Sequence, residues 1–148
     1  MNFNSAPPQF KALRQTLIAG LISVTAISMG CGRGGPKRVP VSGKVTFAGG
    51  DWPKPGLLYF NPDQPAAGFP RGNGIGKFDS DGVYVVRSPS GDADGLYPGS
   101  YTIRVECWDV APTMQGPPAK SFVPATFSKK IVVEPGVPLI HDFDVPKP

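Results

Sequence analysis

The sequence predicts an all-β domain, a seven-stranded antiparallel Greek-key β-sandwich, behind an N-terminal export segment. Three observations carry the prediction. Apolar and polar residues alternate at period two in several separate stretches. Clusters of Gly, Pro, Asn and Asp divide those stretches at short intervals, the pattern of many short strands. Beyond residue 38 no segment shows an apolar stripe at the helical period. Gly and Pro number 19 each in 148 residues, a share of about a quarter that borders on disorder-prone composition. Hydrophobic residues at 40 % and charged residues at 18 % argue for a folded chain instead. The length holds one domain with an extension, and excludes a TIM barrel or a two-domain dinucleotide enzyme.

Residues 1–15 are polar and basic, with Lys11 and Arg14 and no acid. Thr16 to Met29 carries no charge at all. A membrane-spanning helix needs about 20 apolar residues, so this run is short for a permanent anchor. A basic start, a short apolar core and small residues at its end define a secretory signal peptide. The core ends in Ser28-Met29-Gly30-Cys31, which resembles a bacterial lipobox. Gly30 and Cys31 match its last two positions; Ser28 and Met29 depart from its usual residues. The resemblance implies cleavage before Cys31 and lipidation of its thiol. Two or three acyl chains at about 0.8 kcal/mol per buried methylene would hold the protein on a membrane. Gly32, where Asp marks inner-membrane retention in familiar Gram-negative lipoproteins, implies the outer membrane or cell surface. The chain therefore divides into a signal peptide (1–30), a spacer rich in Gly (31–38) and the sandwich domain (39–148).

The strands follow in order. Val39, Val41, Val45 and Phe47 alternate with polar residues, with Gly43 in the inward phase, and Gly49-Gly50-Asp51 ends the run. Leu57–Phe60 is a second apolar run, closed by Asn61-Pro62. Residues 61–73 read as a loop. Gly74–Phe78 and Val83–Arg87 form a hairpin across Asp79-Ser80-Asp81-Gly82, where the Asp side chains bond their own backbone and Gly82 supplies positive φ. Ser100–Trp108 is the clearest strand, with Tyr101, Ile103, Val105 and Cys107 on one face and Trp108 on the other. Residues 111–120 form a Pro-rich loop, and 121–127 are partly extended. Lys130–Val133 and the alternating Leu139, His141, Phe143 and Val145 complete the set. The many Pro residues fall at strand ends and loops, where a missing N–H breaks no ladder.

Val41-Ser42-Gly43-Lys44-Val45-Thr46-Phe47, the Asp79–Tyr84 hairpin and Pro98-Gly99-Ser100-Tyr101-Thr102-Ile103-Arg104-Val105 together resemble carboxypeptidase regulatory-like domains, which are transthyretin-like sandwiches. Phe122–Ser128 is similar to a stretch of small planctomycete lipoproteins, with Thr126 where Lys is usual. The resemblance covers about residues 28–145. It implies a fold and an envelope address, and little chemistry. Transthyretin-like hydrolases carry several His and a C-terminal Tyr-Arg-Gly-Ser. This chain has His141 alone and ends Val145-Pro146-Lys147-Pro148.

Chemistry-bearing residues are few. One His and two Cys exclude the common four-ligand zinc sites. With Cys31 lipidated, Cys107 has no disulfide partner, and its phase makes it a buried apolar residue. Asp79 and Asp81 are candidate calcium ligands, and Asp92 and Asp94 could extend an acidic cluster. Each pair reads more simply as a turn. His141 shares a phase with Leu139 and Phe143 while Asp142 and Asp144 face away, which fits a histidine at the core margin. Trp52, Trp108, Tyr59 and Phe69 are candidates for an aromatic binding platform, Trp52 and Trp108 foremost. The net charge of +4 is scattered, so no nucleic-acid surface is indicated. No set of base, nucleophile and oxyanion donors appears, so the chain reads as a non-enzyme without cofactor. The expected role is structural or adhesive, through an envelope protein or glycan, on a membrane held by Cys31. The alternative is a surface lipoprotein that binds a small ligand or calcium.

Overall fold

The computed structural model describes residues 35–148 with the exception of Asp92; the signal peptide, the lipobox, Cys31 and Gly32 lie outside the described residues. Ten strands follow in order: β1 (Val41–Phe47), β2 (Gly56–Pro65), β3 (Gly74–Phe78), β4 (Val83–Arg87), β5 (Gly99–Glu106), β6 (Trp108–Val110), β7 (Lys120–Ser121), β8 (Lys129–Val133), β9 (Leu139–Ile140) and β10 (Phe143–Val145). The all-β expectation holds, and the described residues contain no helix.

The pairing differs from a purely antiparallel sandwich. One mixed sheet of eight strands runs β10-β1-β4-β3-β2-β5-β8, with β9 also on β1, and β6-β7 form a separate pair. The exception to antiparallel order is the C-terminal segment, which joins β1 in parallel, Val41 opposite Leu139 and Val45 opposite Phe143. Parallel addition needs a long crossover, and nearly the whole domain serves as that connection. The sheet then curls until its ends almost meet. Phe143 on β10 stacks on Phe127 just ahead of β8, with ring centroids 6.3 Å apart, and Phe47 on β1 meets Phe122 at 6.1 Å. The result is a nearly closed barrel.

Alternation explains what fills it. Val41, Val45, Leu58, Phe60, Tyr84, Val86, Tyr101, Ile103, Val105 and Val145 all point inward and are buried. Gly43 shares that phase for a steric reason. A Cβ there would stand 2.1 Å from the carbonyl oxygen of His141. The C-terminal segment therefore lies where a side chain would be. Tyr84, opposite Gly43 on β4, passes its ring over the gap, and its hydroxyl donates to the same carbonyl at 2.6 Å. Asp142 spans the interruption between β9 and β10, accepting from the Lys44 N–H at 2.7 Å. Asp144 accepts from the Thr46 hydroxyl and the Gly49 N–H. Those bonds, the Thr46 one foremost, hold its carboxyl below the usual range.

Two boundaries move. β2 continues through Asn61-Pro62 to Pro65, with a bulge between Pro62 and Gln64. The β3 ladder ends at the Phe60–Gly74 pair, so Pro62 has β5 as a neighbour, opposite Tyr101, on one side only. The bulged Asp63 accepts from the Thr102 hydroxyl at 2.8 Å and 3.0 Å. β5 stops at Glu106, and the chain turns off into β6 at Trp108.

Candidate functional site

Trp108 opens the β6-β7 arm, where it pairs with Ser121. The arm is fastened to the body by its backbone and by charge. The Cys107 carbonyl accepts from the Phe122 N–H at 2.9 Å and from the Ser121 hydroxyl at 3.4 Å. Asp109 bridges Lys54 at 3.1 Å and Lys120 at 3.4 Å. The Lys54 hydrogen bond is the main reason its carboxyl titrates below the ordinary carboxylate value. Downstream, the Phe127 N–H closes a turn on the Pro124 carbonyl at 3.0 Å.

Between this arm, the 124–128 turn and the end of β5 lies a cleft of about 540 Å³. Its polar wall is Arg104, Glu106, Ser121, Thr126 and Ser128, and Trp108 and Phe127 are its half-buried aromatic members. Val105 and Val123, both buried, belong to its lining and to the core. Tyr59 donates to Glu106 from the neighbouring strand; burial first, then Glu106, pushes the Tyr59 hydroxyl upward. The cleft thus offers an indole, a guanidinium, a carboxylate and several hydroxyls. That set suits an uncharged ligand with many hydroxyls, which stacks on the indole and exchanges hydrogen bonds with the wall.

Trp52 does not join it. It is 2 % exposed. Its indole N–H donates to the Val45 carbonyl at 2.9 Å, and its ring packs between Phe47 and Phe78. The expectation of a Trp52–Trp108 platform is corrected: Trp52 is core, because the turn after β1 folds it back over the barrel's end. Phe69 is likewise absent from the cleft's lining.

Asp79 and Asp81 occupy the hairpin turn. The Gly82 N–H donates to the Asp79 carbonyl at 2.9 Å, φ of Gly82 is 76°, and the Val83 N–H donates to the Asp81 carboxylate at 3.1 Å. Asp94 pairs with Arg87 at 3.3 Å. Among the described residues no three His, Cys, Asp or Glu side chains converge on a common metal position. Cys107 is buried, its thiol donating to the Lys54 carbonyl at 3.3 Å, and burial raises its pKa. His141 sits at the core margin against Phe143, 5.5 Å between centroids. Burial, then the Lys129 charge, lowers its pKa against a weaker opposite pull from Asp142. It is not among the residues lining the cleft.

The Asp109 clamp and the 122–128 wall escape a reading of the sequence. Neither has a periodicity, and Asp109 meets Lys54 from the loop ahead of β2 and Lys120 from β7. Comparisons with known protein families, curated proteins and solved structures find no match for this chain.

Proposed function

We propose that this chain is a lipid-anchored, non-catalytic module of the bacterial cell envelope that makes adhesive contact with a glycan through the Trp108 cleft. The observation that carries the reading is the cleft itself, where one half-buried indole stands among groups fit for hydroxyl-rich ligands. The lipobox-like Ser28-Met29-Gly30-Cys31 supports the anchor, with cleavage leaving lipidated Cys31 as the first residue. The finer fold reading belongs to the same proposal, a transthyretin-like Greek-key sandwich whose two layers are the halves of the curled sheet. In its favour, the Tyr101 hydroxyl donates to the Tyr97 carbonyl, four residues upstream, at 2.8 Å. That is the tyrosine-corner arrangement of Greek-key sandwiches.

The test is a pull-down of the full chain on purified envelope glycan and peptidoglycan. Trp108→Ala is expected to weaken retention at least tenfold, about 1.4 kcal/mol, with the melting temperature nearly unchanged. Retention equal to the parent chain would remove the cleft from the reading. Intact mass from the host membrane fraction tests the anchor separately, since an unacylated chain would sink it.

A further inference from the structure

The outer face of the sheet carries a second feature, away from the Trp108 cleft. On β4, Val83 and Val85 point outward and are 54 % and 52 % exposed, and Ile140 on β9 is 76 % exposed. The register aligns them. Ile140, Ser42, Val85 and Lys77 form one row across β9, β1, β4 and β3, and Lys44 lies opposite Val83 in the next. Ile75 stands opposite Arg87 on the other side. Lys77, Arg87 and the three β3–β4 aliphatics line an open groove of about 520 Å³ that runs to residues 88–91. An apolar strip is thus interleaved with Lys77 and with two cations that also face carboxylates, Lys44 at 3.9 Å from Asp51 and Arg87 at 3.3 Å from Asp94, both pairs exposed. Natural sheet faces seldom leave such a strip bare without a use for it.

We propose that this face seats the domain on an anionic lipid bilayer, with the valines and Ile140 entering the headgroup boundary and Lys77 foremost meeting lipid phosphates, while Lys44 and Arg87 exchange their exposed carboxylate partners for phosphates. The inference rests on the lipid-anchor reading. Its chemistry is that of interfacial binding, in which apolar burial and basic charge act together. Position agrees with it. β1 and β4 are antiparallel with Ser42 opposite Val85, and Val39, where the chain enters the sheet, pairs with Leu96, two residues past the Arg87–Asp94 bridge at the groove's margin. Val39 is eight residues from Cys31, a span of at most about 28 Å. Ser42, in the first row of the patch, is only about 10 Å further along the strand. A second copy is a poorer occupant. A two-fold interface would lay the patch on itself and bring like charges together.

Among the described residues the core runs from Val39 to Val145, and residues 35–148 form one compact unit. This lipid-free unit is therefore suited to co-sedimentation with vesicles of neutral phosphatidylcholine, alone or with 30 mol % phosphatidylglycerol, a composition chosen at roughly the charge density of an anionic leaflet. Binding is expected to the anionic vesicles only, and to weaken as salt is raised. Lys77→Gln is expected to lower the partition coefficient about fivefold, the effect of one cation near the surface. Val83→Ser with Val85→Ser is expected to lower it further with the fold intact, since both side chains are exposed. Equal or absent binding on the two vesicles overturns the proposal. So does a concentration-dependent dimer in sedimentation equilibrium that the valine variant abolishes, because the face would then belong to a second copy. An acylated Cys31 with no vesicle preference would leave the anchor standing and remove the face alone.

Discussion

Gly43→Ala is expected to loosen the C-terminal strands from the barrel. The new methyl would lie 2.1 Å from the His141 carbonyl oxygen and 2.7 Å from its carbon, both backbone atoms. Ordinary contact begins near 3.4 Å, so the segment must retreat by about 1.3 Å. That retreat pulls on three bonds at once: Tyr84 hydroxyl to His141 carbonyl at 2.6 Å, His141 N–H to Ser42 carbonyl at 2.9 Å and Lys44 N–H to Asp142 at 2.7 Å. Overpacking costs about 1–3 kcal/mol, and loss of the Tyr84 bond adds about 1 kcal/mol. A total of about 2–4 kcal/mol corresponds to a fall in Tm of roughly 8–16 °C at this domain size. Urea unfolding followed by Trp fluorescence measures it, since Trp52 sits in the core. Gly49→Ala is the control. Gly49 has φ of 77° and open space around its Cβ position, so only the left-handed backbone cost of about 1 kcal/mol applies. A Gly43→Ala protein within about 0.5 kcal/mol of the parent, inside the spread of ordinary surface substitutions, would refute the close approach.

Three further expectations concern single residues. Ala48 has φ of 50° in the two-residue turn between Phe47 and Gly50, where both central residues need positive φ; Ala48→Asn should raise stability by about 0.5–1 kcal/mol, and a drop in the urea midpoint would contradict the turn. The folded pKa of His141 is depressed, so its contribution is whole above the unfolded value of about 6.5 and is lost as pH falls below it. The Tm of the parent should therefore decline from pH 7.5 to 5 more steeply than that of His141→Phe, and parallel curves would place His141 in solvent. Cys107, buried with a raised pKa, should react with a thiol reagent only at the rate of unfolding; rapid labelling of the native 35–148 unit would show an open path to it.

Much of the barrel's interior was legible before any coordinates. Period-two alternation sorts Val41 and Val45 from Lys44, and Tyr101, Ile103 and Val105 from Arg104, because successive side chains on a strand take opposite faces. The Asp79–Gly82 hairpin was equally plain, since a turn's demand for positive φ is met by one residue type at one position. The phase after Tyr101 sets Trp108 outside the core, but β5 ends at Glu106, and it is the β6-β7 arm that positions the indole. Trp52 was not legible, because it lies in a turn where no alternation applies, and only the Val45 carbonyl and the rings of Phe47 and Phe78 make it core.

Alternation within a strand is a local property, written in each strand's own residues, and so the all-β class of the domain and most of its inward side chains can be read along the chain. The choice of neighbours is not local. Val45 meets Phe143 across almost the whole domain, in parallel, and no feature near either residue announces the other. The mixed order of the sheet, its near closure, the cleft beside Trp108 and the row that sets Ile140 and Val85 on either side of Ser42 all depend on such long-range pairings. These were decided only by the tertiary structure, where burying both ends of one curled sheet against each other outweighs any preference a single segment carries.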